Sequence, residues 1–477
     1  MSAAAMLTFP PRSRACYESL MSGQSPSLTQ RLAERLARPV SDGHLRRAAL
    51  HVLDWTGCAV AGAGGPAGRA VASGLGGEGK GPCTAIGSDR RVSVLTAAMI
   101  NGALGNVLEM DDVDKRAILH PGPSVIPAAL AAAQAVDAPA EAFLAAVVRG
   151  YEAVIALGRA VGPGHYAFWH NTGTCGPFGA AAAAASLYGL GPEQSVHALG
   201  LAGTQASGFW QTRHEPQSMA KQLHTARAAH AGVSAVLFAR SGMLGPVDIL
   251  EGPQGFFAAT CPGADPDQVM ADQGAEWLIE QVSFKPWPAC RHAHPAIDAA
   301  LAARAAGMAA SDIHAIVLTT YPDAVAFCDT PRPQSVIEAK FSLQHSIAAA
   351  LLFGPLELAH FEPGFFQRRQ VRALAGKVVV AAADPYTARY PAHYGAGLAV
   401  TLASGETRRF DAPDALGDPE NPLGADAVAK KARALMAAGG MAPDASAALE
   451  SAALGLADGG ALGAYAEALM DQRRGGA

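Results

Sequence analysis

Small apolar residues recur at helical spacing from Ser41 to about Trp277, and this periodicity constrains the fold more than any other feature of the chain. Between residues 41 and 63 the repeating positions are Leu45, Ala49, Val52, Leu53 and Ala59. The same pattern returns in residues 95–110, 125–136, 141–161, 178–190, 193–207 and 219–241. Each segment closes on Gly, Pro or a polar turn. With 52 Gly and only 6% aromatic residues, the pattern predicts helices that pack closely.

The pattern changes near Phe284. Residues 314–322, 378–384 and 397–405 are short, β-branched and bounded by Pro, Asp or Gly, as strands are, with helical residues 295–306 and 342–352 between them. Ala-rich helices then fill residues 425–470. We therefore expect a mainly α fold, in which an all-helical domain (1–283) is interrupted by a smaller α+β domain (284–411) and completed by C-terminal helices (412–477).

Charge and composition exclude several classes of partner. The 36 Lys and Arg residues against 41 Asp and Glu give a net charge of −5, which disfavours binding to nucleic acid or to an anionic membrane. No apolar stretch reaches the roughly 18 residues of a membrane span. Seven scattered cysteines without a CxxC pair argue against a disulfide framework. The first twenty residues lack a secretory pattern, which predicts a cytoplasmic protein.

A glycine-rich segment, Gly74 to Lys80, matches G-x-G-x-x-G. A dinucleotide site would need a strand before this motif and a helix after it, whereas here a helical stretch precedes it. Gly81 also stands where a phosphate loop needs Ser or Thr. The segment is interpreted as a glycine turn, and no cofactor is predicted from it.

The densest polar cluster contains four acidic residues, Glu109, Asp111, Asp112 and Asp114, followed by His120. The predicted helix 95–110 would place these charges at its C-terminal end, where the macrodipole disfavours them. A solvated acidic loop is one interpretation. The alternative is a carboxylate that orients His120 for proton transfer. A hard-cation site remains conceivable, although no EF-hand spacing is present.

Three further groups carry candidate chemistry. His170 and Thr172 precede the predicted helix 178–190, whose N-terminus could bind a carboxylate, although the segment could equally be a surface loop. Lys221 and Lys285 lie in apolar or aromatic surroundings, where a lysine needs an anionic partner unless it extends its ammonium group to solvent. His292 and His294 have no HExxH or CxxC beside them, so no metal is predicted.

Taken together, six ordered blocks of this sequence resemble the MmgE/PrpD family. They contain the acidic cluster with His120, the His170 and Thr172 segment, and both lysines. The blocks are residues 53–62, 101–122, 170–181, 221–229, 285–298 and 338–343. The resemblance implies a helical domain with an α+β lid, a homodimer, an active site between the domains, no metal or organic cofactor, and a small di- or tricarboxylate substrate.

The resemblance also implies roles for individual residues. The catalytic residues would be His120 for proton transfer, Glu109 and Asp112 as the paired acids, and His170. The substrate-binding residues would be Lys221, Lys285, Thr172 and His345. Three positions depart from the family pattern: Asn171 replaces Pro, Val113 replaces Thr, and His345 stands where many members carry Tyr.

The chemistry implied is proton movement at a carbon next to a carboxylate. A 2-methylcitrate dehydratase-like hydro-lyase is the first expectation, with a cis-aconitate decarboxylase-like lyase or an iminodisuccinate epimerase-like isomerase as alternatives. Two hypotheses come from other classes. One is a metal-dependent hydrolase that uses Asp111, Asp112, His120 and His292, and the other is a helical interaction protein without catalytic activity.

Overall fold

A computed structural model describes residues 25–75, 79–215, 217–272, 274 and 276–471. The mainly α architecture expected from the sequence is confirmed. The N-terminal helices are α1 (Leu28–Leu36), α2 (Asp42–Ala63), α3 (Pro66–Leu75), α4 (Val94–Leu104), α5 (Gly122–Ala135), α6 (Ala140–Ala160), α7 (Gly162–Tyr166), α8 (Asn171–Leu187), α9 (Pro192–Gly203), α10 (Ala220–Arg240) and α11 (Phe256–Thr260). A short strand, β1 (Lys80–Cys83), lies between α3 and α4.

The rest of the chain carries the sheet and the last helices. A four-stranded sheet has the order β3-β2-β4-β5, with β2 parallel to β3 and antiparallel to β4. Its strands are β2 (Ile313–Thr320), β3 (Val378–Ala382), β4 (Ala396–Leu402) and β5 (Thr407–Ala412). The helices are α12 (His294–Ala305), α13 (Pro322–Cys328), α14 (Val336–Lys340), α15 (Leu343–Phe353), α16 (Pro363–Phe366), α17 (Arg369–Ala375), α18 (Tyr386–Arg389), α19 (Ala425–Ala438), α20 (Pro443–Gly455) and α21 (Leu462–Met470).

Two large hydrophobic cores organise these elements. The first, here called the helical core, unites residues from Leu28 to Val282 with residues from Ala429 to Leu469. The second, called the α+β core, runs from Trp287 to Ala412 and fills the space between the sheet and its helices. The C-terminal helices thus pack against α2 rather than against the sheet. The domain boundaries given above stay a prediction.

Small residues let the central helices of the helical core touch through their backbones. A Cβ atom added at Gly150 on α6 would lie 2.8 Å from the Gly179 carbonyl oxygen on α8, and one added at Gly179 would lie 2.8 Å from the Gly150 oxygen. Real Cβ atoms do not approach oxygen so closely. The excess of Ala and Gly in the sequence therefore has a direct structural use here.

Several local predictions were wrong. The helix predicted to reach Met110 ends at Leu104, so the acidic residues lie in the following turn and loop rather than at a helix terminus. The helix expected from Phe178 begins at Asn171, and β5 was not predicted. Residues 76–78 of the glycine-rich segment lie outside the described residues. None of the described helices is long and apolar enough to cross a membrane.

Candidate active site

A cavity of about 410 Å³ lies between the helical core and the α+β core. Five of the predicted site residues line it: Glu109, His120, His170, Lys221 and Lys285. The sequence prediction that these residues share one site is consistent with this geometry. A more open cleft of about 1000 Å³ between α2 and the C-terminal helices contains none of them.

His120 is held by its backbone and by one ring nitrogen. Its N–H donates to Thr172 Oγ1 at 3.0 Å. Its Nδ1 lies 2.8 Å from the Asp112 carbonyl oxygen and 3.0 Å from Asp111 Oδ2. Because both of these oxygens only accept hydrogen bonds, Nδ1 carries the proton. The Nε2 atom of the neutral ring is therefore the one free to accept a proton.

The carboxylate beside His120 belongs to Asp111. It is 1% exposed and accepts a hydrogen bond from Asn106 Nδ2 at 2.7 Å. Burial alone raises the pKa of Asp111, but His120 and Lys285 outweigh this effect and hold the pKa well below its ordinary range. Asp111 is consequently ionised and stabilises a positive charge on the imidazole.

Asp112, which the sequence offered together with Glu109 as a carboxylate that could orient His120, does not line the cavity. Its carboxylate accepts hydrogen bonds from His51 Nδ1 at 2.8 Å, Tyr151 Oη at 2.6 Å and the Gly122 N–H at 3.0 Å. The carboxylate contact with His120, predicted for Glu109 or Asp112, is made by Asp111 instead. Sequence spacing identified the acidic cluster, but it could not tell which of two adjacent side chains turns towards His120.

Glu109 occupies the space between the two lysines. Its carboxylate pairs closely with Lys221 Nζ and lies 3.8 Å from Lys285 Nζ. The backbone has φ = 58°, a left-handed conformation that costs a non-glycine residue about 1–2 kcal/mol. Burial alone raises the pKa of Glu109, but the charges of Lys221 and Lys285 hold that pKa below its ordinary value. The carboxylate is thus ionised and shared by two cations.

The two lysines differ in their surroundings. Lys221, the second residue of α10, keeps a 17% exposed side chain, and despite burial the charge of Glu109 raises its pKa. Lys285 is fully buried, and within the described residues its Nζ has no hydrogen-bond partner. Burial holds the pKa of Lys285 below its ordinary value. A buried ammonium group that lies beside a cavity and lacks a hydrogen-bond acceptor is well suited to bind an anion.

His170 also lines the cavity and lies immediately before α8. Its Nδ1 lies 3.2 Å from His224 Nδ1, and its ring lies 4.6 Å from the ring of Trp210. Burial and the charge of Lys221 keep the pKa of His170 well below its ordinary value. Burial also lowers the pKa of His224 to about 4. Both rings are therefore neutral near pH 7.

Thr172 and Asn171 support the loop that carries His120. Thr172 is fully buried and accepts a hydrogen bond from the His120 N–H, so it contacts the loop that carries His120 rather than the cavity. The Asn171 amide donates to the Ala117 carbonyl oxygen at 2.8 Å. Asn171, at the position where the sequence resemblance implied Pro, therefore contacts the same loop through its side chain.

His345 was expected to bind substrate, but the structure places it away from the cavity. It is 1% exposed, its Nε2 donates to the His360 carbonyl oxygen at 2.9 Å, and its ring packs against Phe361 and Phe366. It belongs to the α+β core. The expectation came from sequence position alone, and the apolar neighbours of the ring account for its position away from the cavity lining.

The four residues of the metal-dependent hypothesis, Asp111, Asp112, His120 and His292, do not form one ligand cluster. In the described part of the chain, the group of at least three ligand-type side chains whose ligand atoms all lie within 4.8 Å of one another is His393, Asp414 and Glu420. They lie outside the cavity. His292 lines the cavity, but its Nδ1 is engaged at 2.9 Å by the Tyr321 hydroxyl group.

Several cavity residues were not predicted. Arg213 lies at the wall with its guanidinium carbon 4.7 Å from the centre of the Phe327 ring, and Tyr166 packs between Phe327 and Trp210. These contacts join the helical core to the α+β core. His224 contacts His170 behind the cavity wall and was not predicted either. It stood inside the block 221–229, so nearness to Lys221 was the signal that could have found it.

Comparison with known proteins places this chain in a family. The model of the MmgE/PrpD N-terminal domain matches residues 27–269, and that of the MmgE/PrpD C-terminal domain matches residues 287–454. The chain belongs to the MmgE/PrpD family, and the resemblance inferred from the sequence blocks is confirmed.

Three similar proteins carry the names of two different activities. The chain is 28% identical to the cis-aconitate decarboxylase-like protein oryM of Aspergillus oryzae, over 76% of this chain and 80% of that protein. It is 28% identical to the cis-aconitate decarboxylase of Homo sapiens, over 72% and 73%. It is 27% identical to the 2-methylcitrate dehydratase of Escherichia coli K12, over 48% and 49%.

Proposed function

We propose that this protein is a lyase that acts on a small tricarboxylate by proton transfer at a carbon next to a carboxylate. The observation that carries the proposal is the convergence of Lys221, Lys285 and the His120–Asp111 pair on one cavity. The lysines supply cationic contacts for carboxylates. The imidazole supplies a group that can both accept and donate a proton.

Each side chain has a proposed task. Lys221 and Lys285 bind a substrate carboxylate and stabilise the enolate-like charge that develops on it. The Glu109 carboxylate pairs with both ammonium groups when the site is empty, and it offsets part of their positive charge when substrate is bound. His120 transfers the proton through Nε2, while Asp111 fixes its tautomer and stabilises its protonated form.

Decarboxylation is the first candidate reaction. Carbon dioxide leaves, its bonding electrons spread towards the neighbouring carboxylate or double bond, and protonated His120 returns one proton to carbon. This sequence needs one proton donor, and His120 beside Asp111 fills that role. The longer alignment with proteins named cis-aconitate decarboxylase favours the same choice.

Dehydration, the first expectation from the sequence, is the second candidate. It needs a base for the carbon-bound proton and an acid for the departing hydroxide. His170 was the expected helper, but its lowered pKa keeps it neutral, which suits a hydrogen bond to substrate better than proton donation. The alignment with the Escherichia coli 2-methylcitrate dehydratase supports keeping this candidate.

The test is turnover of cis-aconitate and 2-methylcitrate, followed by proton NMR in heavy water and by detection of released carbon dioxide. We expect carbon dioxide with one deuteron incorporated per product from cis-aconitate. Loss of water from 2-methylcitrate without carbon dioxide would favour dehydration, and deuterium exchange without elimination would favour epimerisation. Inertness towards both acids would refute the lyase proposal.

A pair of histidine variants tests the assignment. His120→Ala is expected to abolish turnover because it removes the proton-transfer group. His314→Ala, on an exposed position of β2, serves as the matched control and is expected to keep wild-type turnover. Full activity of His120→Ala would remove this residue from the mechanism.

The homodimer and the cytoplasmic location implied at the sequence level are carried forward as parts of the proposal. Sedimentation at micromolar concentration tests the first, and a monomer would contradict it. Elemental analysis of the purified protein, together with activity after chelation, tests the competing metal-dependent hydrolase.

A further inference from the structure

We propose that Lys340 and Lys431 are positioning residues that orient the two acidic side chains of the site by binding the peptide carbonyl oxygen that precedes each of them. Lys340 would position Glu109, and Lys431 would position Asp111. The inference rests on the proposed function for its activity measurements, and neither lysine lines the cavity.

Both contacts are hydrogen bonds from buried ammonium groups. Lys340 Nζ donates to the Leu108 carbonyl oxygen at 2.8 Å, and Lys431 Nζ donates to the Met110 carbonyl oxygen at 2.5 Å. The lysines are 5% and 8% exposed, respectively. A buried ammonium group requires such acceptors. These two hydrogen bonds therefore restrict the side-chain conformations of the lysines and the backbone conformation of the turn that carries the acidic residues.

The two carbonyl groups have special positions in the chain. The Leu108 carbonyl belongs to the peptide group immediately before Glu109, and the Met110 carbonyl belongs to the one immediately before Asp111. The φ angle of a residue describes rotation about its N–Cα bond, and the N atom belongs to the preceding planar peptide group. A contact that holds this peptide plane therefore restrains the φ angle of the residue that follows it. Each lysine therefore acts on the backbone angle that aims one acidic side chain.

Glu109 has a particular need for such a restraint. Its φ of 58° is rare for a residue with a side chain, and this conformation persists only where the surroundings enforce it. In this conformation its carboxylate reaches Lys221 and Lys285. Relaxation of the backbone towards negative φ would move the carboxylate away from both lysines.

The restraints come from parts of the chain that are distant in sequence. Lys340 is the last residue of α14, next to the α+β core, and belongs to the block 338–343, of which Glu338 and Phe341 line the cavity but Lys340 does not. Lys431 lies on α19, where its Nζ also pairs with Asp54 Oδ1 of α2 at 2.6 Å. The acidic turn thus lies where three segments of the fold meet.

The two lysines should respond differently to alkaline pH. Lys340 faces Glu109 and Glu362 but also Lys285 and Lys221, and burial lowers its pKa to about 8. Lys431 is buried as well, but the charge of Asp54 raises its pKa. As pH rises through about 8, Lys340 therefore loses its charge and its contact with Leu108 weakens, while Lys431 keeps its charge.

Three variants test the role of Lys340. Lys340→Met removes the donor and is expected to lower kcat by about tenfold to a hundredfold, with a smaller change in KM, because substrate contacts are retained. Lys340→Arg keeps a cation at every accessible pH and is expected to retain activity and extend it to higher pH. Lys377→Met is the matched control, since Lys377 Nζ also donates to a backbone carbonyl, that of Ile313 at 2.5 Å, away from the cavity.

The proposal is overturned if Lys340→Met keeps the wild-type kcat, if Lys377→Met loses as much, or if Lys340→Arg leaves the alkaline limit of kcat unmoved. The last readout decides the question even if Lys340→Met does not fold. If the wild-type protein turns over neither acid, the proposed function fails separately. A crystal structure then decides. In Lys340→Met, which lacks the charged lysine, we expect Glu109 to leave the left-handed region, and an unchanged φ refutes the proposal. If that variant does not fold, Lys340→Arg and the wild-type protein are compared at pH 9: Glu109 should leave the left-handed region in the wild-type protein, whose Lys340 has lost its charge, and an unchanged φ there refutes the proposal.

Discussion

Replacing Asp111 by Asn is the sharpest test of how the site transfers a proton. The amide has nearly the same shape and still accepts the hydrogen bond from Asn106, but it carries no charge. In the wild-type protein the Asp111 carboxylate lies 3.0 Å from His120 Nδ1. The variant therefore isolates the electrostatic support of the protonated imidazole.

The structure sets the size of the expected effect. Two unit charges 3.0 Å apart attract by about 5 kcal/mol at an effective dielectric constant of about 20. The 13% exposure of the His120 side chain makes this an upper bound. General acid–base catalysis contributes about 10²–10⁴-fold, which is about 3–5 kcal/mol. We expect Asp111→Asn to lower kcat within that range and to change KM little.

The assay is steady-state turnover of the substrate found for the wild-type protein, with circular dichroism to verify folding. Asp114→Asn is the control, because Asp114 is an equally buried acid of the same loop that pairs with Arg159 at 2.6 Å instead of with His120. It should lose stability but keep kcat per folded molecule. Wild-type kcat in Asp111→Asn, or an equal loss in Asp114→Asn, would refute the reasoning.

Three further outcomes are expected. Lys221→Met should raise KM for carboxylate substrates more than it lowers kcat, because it removes a cation from the cavity; an unchanged KM would contradict the anchoring role. Gly179→Ala should lower the free energy of unfolding by about 1–3 kcal/mol, since the new Cβ would lie 2.8 Å from the Gly150 carbonyl oxygen; urea titration measures this, and equal stability would argue against the close contact. Burial lowers the pKa of His51 from 6.5 to about 4. By linkage, its neutral ring contributes about 3 kcal/mol to the free energy of unfolding, which is present above pH 6.5 and is lost as pH falls towards 4. Urea titrations at pH 7.5 and 5 should show this decline, and equal midpoints would contradict it.

Helix periodicity predicted the packed helices well because local spacing and burial agree there. The segment predicted at residues 141–161 is observed as α6, one residue earlier at each end. The helix predicted to Met110 failed for a physical reason. Met110 is buried against Cys58 and Leu435, so its apolar character reflects tertiary packing rather than a continued helix.

The site was predictable in its membership more than in its geometry. The sequence blocks named His120, Lys221, Lys285 and Glu109, and all four line one cavity. They could not show that Glu109 lies between the lysines, because that depends on a backbone angle set by residues far along the chain. Side-chain direction is likewise decided by neighbours such as His51, which draws Asp112 away from the cavity.

The helical core is assembled from the two ends of the chain, and this has a consequence for synthesis. The surface of α2 that receives α19 is made early, whereas α19 begins at Ala425. At about 5–20 residues per second, translation from the end of α2 to α19 takes on the order of half a minute. During this interval the N-terminal helices of the ribosome-bound chain expose the apolar surface of α2 that α19 later covers. Expression should therefore depend on chaperones that shield this surface.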